Sequence, residues 1–185
     1  MQIDITLPIT KQMAEDAAKN QNKTLAGHLG THFDVMDKVF PLAYTERRGI
    51  VFDVSGVIGR DIDLCDILMD AVENDMFVAF CTGYIEQVGY GERGYFSDHP
   101  QLSEALIDAL VAKGVSIIGL DFAGIRRGKE HTPKDAFLAD RGIFVVENLC
   151  NLRAVLQAGG RFEACTYPLP LQGVTGLPCR VIARV

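Results

Sequence analysis

From residue 49 onward, apolar runs of strand length alternate with windows of helical periodicity, and this alternation constrains the fold more than any other feature of the chain. Apolar runs of four to eight residues suit buried strands, whereas apolar residues recurring at three and four suit one face of a helix. Residues 49–54 and 76–81 are runs of the first kind, and residues 62–72 between them carry leucine, isoleucine and methionine at helical spacing. A β-α-β unit is predicted there. Leu102, Ala105, Leu106, Ala109 and Leu110 share a helix face that Lys113 and Gly114 close with a cation and a stop. Residues 115–120 and 142–146 read as further buried strands, 149–158 as a short helix, and 161–167 and 180–185 as closing strands. The class is α/β, and residues 1–185 read as one domain without an internal repeat. Two connections, 82–100 and 121 to about 134, are longer than packing requires, a length often associated with function.

Composition narrows the functional classes. A net charge of -6 and the absence of a dense lysine or arginine run argue against a nucleic-acid partner. The start lacks a basic region followed by an apolar one, and no apolar stretch reaches bilayer-spanning length, so no membrane partner is expected. Cys65, Cys81, Cys150, Cys165 and Cys179 are odd in number and form no C-x-x-C pair, which disfavours a disulfide framework or thiolate zinc site. A reducing, cytoplasmic location fits these features.

The densest chemistry lies in Gly27-His28-Leu29-Gly30-Thr31-His32-Phe33-Asp34, which holds two of the four histidines and a carboxylate. Imidazole and carboxylate together suit zinc or manganese. On an ideal helix His28 and His32 would share a face while Asp34, six residues beyond His28 at ~100° each, would point away. On a straight strand all three would share a face, with the histidines ~13 Å apart, too far for one ion. A common site therefore requires a bend between the histidines, and Gly30-Thr31 is where it costs least.

This stretch resembles the signature H-x-G-T-H-x-D-x-P-x-H of the cyclase-like metal-dependent hydrolases, the family that includes bacterial kynurenine formamidase and isatin hydrolase. Further matches follow in the same order along nearly the whole chain. They are Ile3-Asp4-Ile5-Thr6, Thr82-Gly83-Tyr84, Asp98-His99-Pro100 with Leu102-Ser103, Gly119-Leu120-Asp121, Val146-Glu147-Asn148-Leu149 with Asn151-Leu152, and Gly173 to Arg180. The resemblance implies a swivelling β/β/α fold with a mixed sheet and a homo-oligomer, a dimer or tetramer. It also implies a hydrolase that opens a small amide, lactam or lactone with metal-activated water. One or two divalent ions, zinc or manganese, are implied as cofactors, with a small-molecule substrate as partner.

By the same resemblance, His28, His32 and Asp34 hold one ion, and Asp34 and Glu147 contribute to a second. Two positions depart from the family pattern. Counting twelve residues back from Glu147, where the family places a histidine, gives Asp135, a harder ligand suited to manganese, and His131 lies four residues earlier as a substitute. The signature's final histidine, an acid/base candidate, falls on Lys38, and its proline falls on Met36. Lys38 and His131 are the candidates for moving a proton, and Glu147, which orients an ion, is the third candidate catalytic residue. The replacements also support a rival expectation, that of a divergent, non-catalytic metal- or ligand-binding member.

Other features carry less. Gly89-Tyr90-Gly91-Glu92-Arg93-Gly94 satisfies G-x-G-x-x-G, but no helix is predicted to open at Gly94, so no helix N-terminus would meet a phosphate. Ser55 lacks a nucleophile elbow, and Cys81 and Cys150 read as core residues. The segment 83–96, rich in tyrosine and glycine, is a candidate to line or cover a pocket for a small planar ligand.

Overall fold

The computed structural model describes residues 1–20 and 27–185. Among the described residues, fourteen strands and α-helices follow one another: β1 (Gln2–Asp4), α1 (Lys11–Ala17), β2 (His32–Asp34), β3 (Glu46–Asp53), β4 (Phe77–Cys81), α2 (Tyr84–Val88), α3 (Glu104–Lys113), β5 (Ile117–Leu120), α4 (His131–Ala139), β6 (Phe144–Glu147), α5 (Leu152–Gln157), β7 (Arg161–Thr166), β8 (Gly176–Pro178) and β9 (Val181–Arg184). The strands form one mixed sheet in the order β1-β9-β7-β3-β4-β5-β6-β2-β8. Its centre, β3-β4-β5-β6, is parallel, and the strands on both sides are antiparallel.

The near-continuous apolar runs are explained by burial of the central strands on both faces. On β4, Phe77, Ala79 and Cys81 join one core while Val78 and Phe80 join the other. Alternation continues in β6, where Phe144 and Val146 face the first core and Val145 the second. Leu106, Ile107 and Leu110 of α3 cover the second core, and Leu152 and Val155 of α5 cover the first. Ser103 caps α3 by accepting the Leu106 amide, and Gly114 ends it in the left-handed conformation.

The strand readings hold to within a few residues, and β3 and β4 pair in parallel as the predicted β-α-β unit requires. The connecting helix is corrected. Residues 62–72 form two single 3-10 turns, Leu64–Asp66 and Met69–Ala71, with extended backbone between them. Asp63 accepts the Leu64 amide and Asp66 accepts the Asp63 amide, so local carboxylate bonds compete with helix formation. The long connections also contain structure that periodicity missed, namely α2 within 82–100 and α4 opening at His131.

His99 is a core histidine of the first long connection. It is buried, stacks on Phe122 at a centroid distance of 5.7 Å, and donates Nδ1–H to the Pro100 carbonyl at 2.6 Å. Burial pushes its pKa down to about 4, against a smaller opposing effect of that hydrogen bond. The unfolded chain therefore binds the proton between about pH 6.5 and 4 while the folded chain does not, so stability falls as pH drops through that window. The loss reaches about 3 kcal/mol below pH 4. His99→Phe, which keeps the stack and removes the titration, should lose less stability between pH 7 and 5 in urea unfolding than the parent; an equal loss would contradict this role.

Candidate metal centre

Strand register brings the two halves of the site together. His32 of β2 lies directly opposite Glu147 of β6, and Asp34, two residues on, returns to the same face. His131 and Asp135 stand one turn apart on α4, which packs against β6 and points both side chains at the same place. The bend required between the histidines occurs at Gly30, which adopts φ 65. Gly27 is held as firmly, since a Cβ there would lie 2.0 Å from the Gly176 carbonyl oxygen. The turn carrying His28 is thereby seated against β8.

The result is a tight cluster. His28 Nδ1 lies 2.9 Å from His32 Nε2 and 3.1 Å from Asp34 Oδ1. His32 Nε2 lies 3.7 Å from Glu147 Oε2, and His131 Nε2 lies 3.0 Å from Glu147 Oε1 and 3.1 Å from Asp135 Oδ2. Among the described residues two sets of three ligating atoms, His28/His32/Asp34 and Asp34/His131/Asp135, each fall within 4.8 Å of one another, and Asp34 belongs to both.

Hydrogen bonds behind the rings orient them. His32 Nδ1 donates to the Gly30 carbonyl at 2.8 Å, which leaves Nε2 facing the cluster with its lone pair in the neutral ring. His28 turns Nε2 to Thr175 Oγ1 at 2.8 Å, so Nδ1 is the nitrogen that faces inward. The sequence reading named neither Thr175 nor this role for Gly30.

Charge is concentrated where water is scarce. His32, Asp34, Asp135 and Glu147 are all buried. Burial raises the Asp34 pKa, but hydrogen bonds from His28 and His32 outweigh it and hold the carboxyl well below the usual range. Burial and then the Asp34 charge push Asp135 up to about 8, and the same two causes raise Glu147. Burial opposes a proton on the two histidines, yet the surrounding carboxylates raise His32 to about 9 and His131 to about 11.

A divalent cation fits this donor set. Asp34 Oδ2 and Asp135 Oδ1 are buried and have no hydrogen-bond partner among the described residues, a cost that a bound cation would remove. His28 Nδ1 and His32 Nε2 converge at a separation where two lone pairs repel unless a proton or cation lies between them. Neutral imidazoles with three carboxylates are donors that suit zinc or manganese.

A sequence model of the Cyclase family matches residues 3–126. The chain belongs to the cyclase family. The matched span contains His28, His32 and Asp34 and ends before His131, Asp135 and Glu147. Solved structures of similar fold cover nearly the whole chain. A potential metal-dependent hydrolase with cyclase activity has a TM-score of 0.76 at 23% identity, over 99% of this chain and 98% of that one. A predicted metal-dependent hydrolase from Bacillus stearothermophilus has a TM-score of 0.75 at 22% identity, over 99% and 97%. Isatin hydrolase A from Labrenzia aggregata, bound to benzyl benzoate, has a TM-score of 0.73 at 18% identity, over 99% and 93%. At these identities the likeness is one of fold. Among curated proteins none matches the sequence. No helix among the described residues of this cyclase-family chain is long and apolar enough to cross a membrane.

The structure places two sets of sequence-predicted residues otherwise than residue counting suggests. Counting from Glu147 set Asp135 and His131 against each other as alternatives, whereas α4 delivers both to the cluster. Lys38 is held elsewhere: its amine pairs with Asp140 at 2.8 Å and Asp37 at 2.9 Å, and it lines a separate apolar cavity of about 620 Å³. Hydrogen bonds to Asp140 and Asp37 raise its pKa, the opposite of what a neutral base requires. Gly89 to Gly94 opens no helix, and the next helix of at least two turns begins at Glu104. Phe33 is a core residue packed on Phe40, while Phe96 lines the cavity at the cluster.

Proposed function

We propose that the chain is a metal-dependent hydrolase that opens a small amide, lactam or lactone, with zinc or manganese held by His28, His32 and Asp34 and a second ion by Asp34, His131, Asp135 and Glu147. The observation that carries this reading is the convergence of five ligand side chains in two groups, with Glu147 beside them, around buried carboxylate oxygens that lack a hydrogen-bond partner among the described residues. A divalent ion there supplies Lewis acidity toward a carbonyl and lowers the pKa of water.

The chain's own residues do the remaining work. His28, His32, Phe96, Ala123, His131 and Glu147 help line a cavity of about 230 Å³, smaller than the roughly 300–1,000 Å³ usual for drug-sized ligands, which favours a small substrate. The Phe96 ring offers a planar substrate an apolar surface and excludes water from that side. When only the first ligand group is occupied, His131 Nε2 carries a proton braced by Glu147 and Asp135, positioned to be passed to the departing nitrogen or oxygen. The same reading includes a homo-oligomer, with Val39, Leu42, Leu169 and Leu171 on the exposed apolar cavity as the face to be covered.

Screening the zinc- and manganese-loaded protein against formyl amides, lactams and lactones tests the activity. Turnover of at least one class is expected, with a loss of at least about 100-fold in Glu147→Gln, which keeps the shape and removes the charge. A second reading, a non-catalytic binding protein, is favoured by the capture of Lys38 at the position of the family's acid/base histidine. A metal-loaded parent that turns over none of these substrates would establish that reading instead.

A further inference from the structure

The bend between the two histidines is held by the loop of residues 89–98 directly at the Gly30 amide and, through Asn148, at the Gly30 carbonyl. The Gly30 amide donates to Tyr90 Oη at 3.0 Å. The Gly30 carbonyl accepts from His32 Nδ1 at 2.8 Å and from Asn148 Nδ2 at 2.9 Å. Tyr95 Oη in turn donates to Asn148 Oδ1 at 2.8 Å. Tyr95, Asn148 and His32 are at most 1% exposed, so bulk water does not compete for these bonds.

Asn148 follows the ligand Glu147 directly and adopts φ 58, a conformation uncommon for residues other than glycine. In that conformation its carbonyl accepts the Thr31 hydroxyl at 2.8 Å and its amide donates to the Phe122 carbonyl at 3.2 Å. Strain here is offset by a fully satisfied buried network that ties both halves of the cluster to the aromatic loop. That same loop places Phe96 in the cavity.

We infer that the loop of residues 89–98 is coupled to the metal centre through Tyr95, Asn148, the Gly30 peptide and His32, so that ion binding and loop order strengthen each other. Tyr90 and Tyr95 are positioning residues in this arrangement. The inference rests on the metal-site reading above. A histidine ligand's affinity depends on the bond that orients its other nitrogen, and His32 owes that bond to a carbonyl which Asn148 and Tyr95 hold in place. Coupling of this kind is reciprocal: whatever the loop gives to ion binding, the ion returns to the loop.

Tyr95→Phe removes only the hydroxyl and keeps the ring packing on Tyr84, Tyr90 and Phe96. Zinc affinity measured by competition with a chromophoric chelator should fall about 5-fold in this variant, and about 25-fold in the Tyr90→Phe/Tyr95→Phe double variant. Tyr167→Phe, whose exposed hydroxyl bonds Glu46, serves as a control that leaves affinity unchanged. Hydrogen exchange over residues 89–98 should slow when zinc is added to the parent, and should slow less in the double variant. A parent that binds zinc without protecting this loop, with variants of equal affinity, overturns the coupling alone. A parent that binds no zinc overturns the metal reading and this inference with it.

Discussion

Asp34→Asn is expected to empty both ligand groups at once, while His28→Ala empties only the first. Asp34 is the residue common to the two sets of converging ligands. Structural zinc sites with about four ligands are worth roughly 10–16 kcal/mol, so one ligand contributes about 3 kcal/mol and its loss weakens each ion by more than about 100-fold. The fold should survive the change. Asp34 is the charge that, after burial, raises Asp135 and Glu147, so its neutralisation relieves that repulsion even as His28 and His32 lose a partner. Circular dichroism close to that of the parent, together with metal content near zero, is the expected pair of results. An Asp34→Asn protein that keeps two ions would show that the bridging assignment is wrong.

Metal affinity should climb steeply with pH, while the stability of the metal-free protein moves the other way. Without an ion, protons on His32 and His131 supply the positive charge among the carboxylates, with pKa values of about 9 and 11, and Asp135 is protonated up to about 8. Ligands must shed these protons to bind a cation, so occupying both groups near pH 7 releases up to about three protons per chain. Calorimetry in buffers of different ionisation enthalpy would count them, and binding with no proton release would contradict the assignment.

The sign for folding follows from the same groups. A histidine whose folded pKa lies above its unfolded value of 6.5 contributes stability that is complete below pH 6.5 and lost as pH rises through the folded value. For His32 this amounts to about 3 kcal/mol, lost between about pH 6.5 and 9. Asp135, raised from 3.8 to about 8, acts in the same direction, because the folded state resists its ionisation. The melting temperature of metal-free protein should therefore fall from pH 6.5 to 9, whereas metal-loaded protein resists that fall.

The sheet was legible in the sequence because its central strands are buried on both faces and therefore read as unbroken apolar runs between turns. The 62–72 segment misleads for an equally physical reason: its aliphatic spacing imitates a helix, while Asp63 and Asp66 divert the backbone into isolated turns. Helix α4 escapes periodicity because its most informative residues, His131 and Asp135, face the cluster and not an apolar core.

The first half of the site could be read from spacing alone to the point of requiring a bend, since neither a straight helix nor a straight strand brings His28, His32 and Asp34 to one ion. Its second half depends on the β2–β6 register and on the packing of α4, both long-range, and a count of residues could not resolve Asp135 from His131. Lys38 was named from its place in a signature, but the partners that hold its amine, Asp37 and Asp140, are set by the fold. Asn148 was visible as part of a motif, although its work on Gly30, 118 residues away, belongs to tertiary structure.

The central claim is that this cluster holds divalent metal, and elemental analysis of protein purified without a histidine tag, before and after incubation with zinc or manganese, tests it most directly. One to two ions per chain, lost in Asp34→Asn, is the predicted result; no stoichiometric metal under any of these conditions would contradict the account.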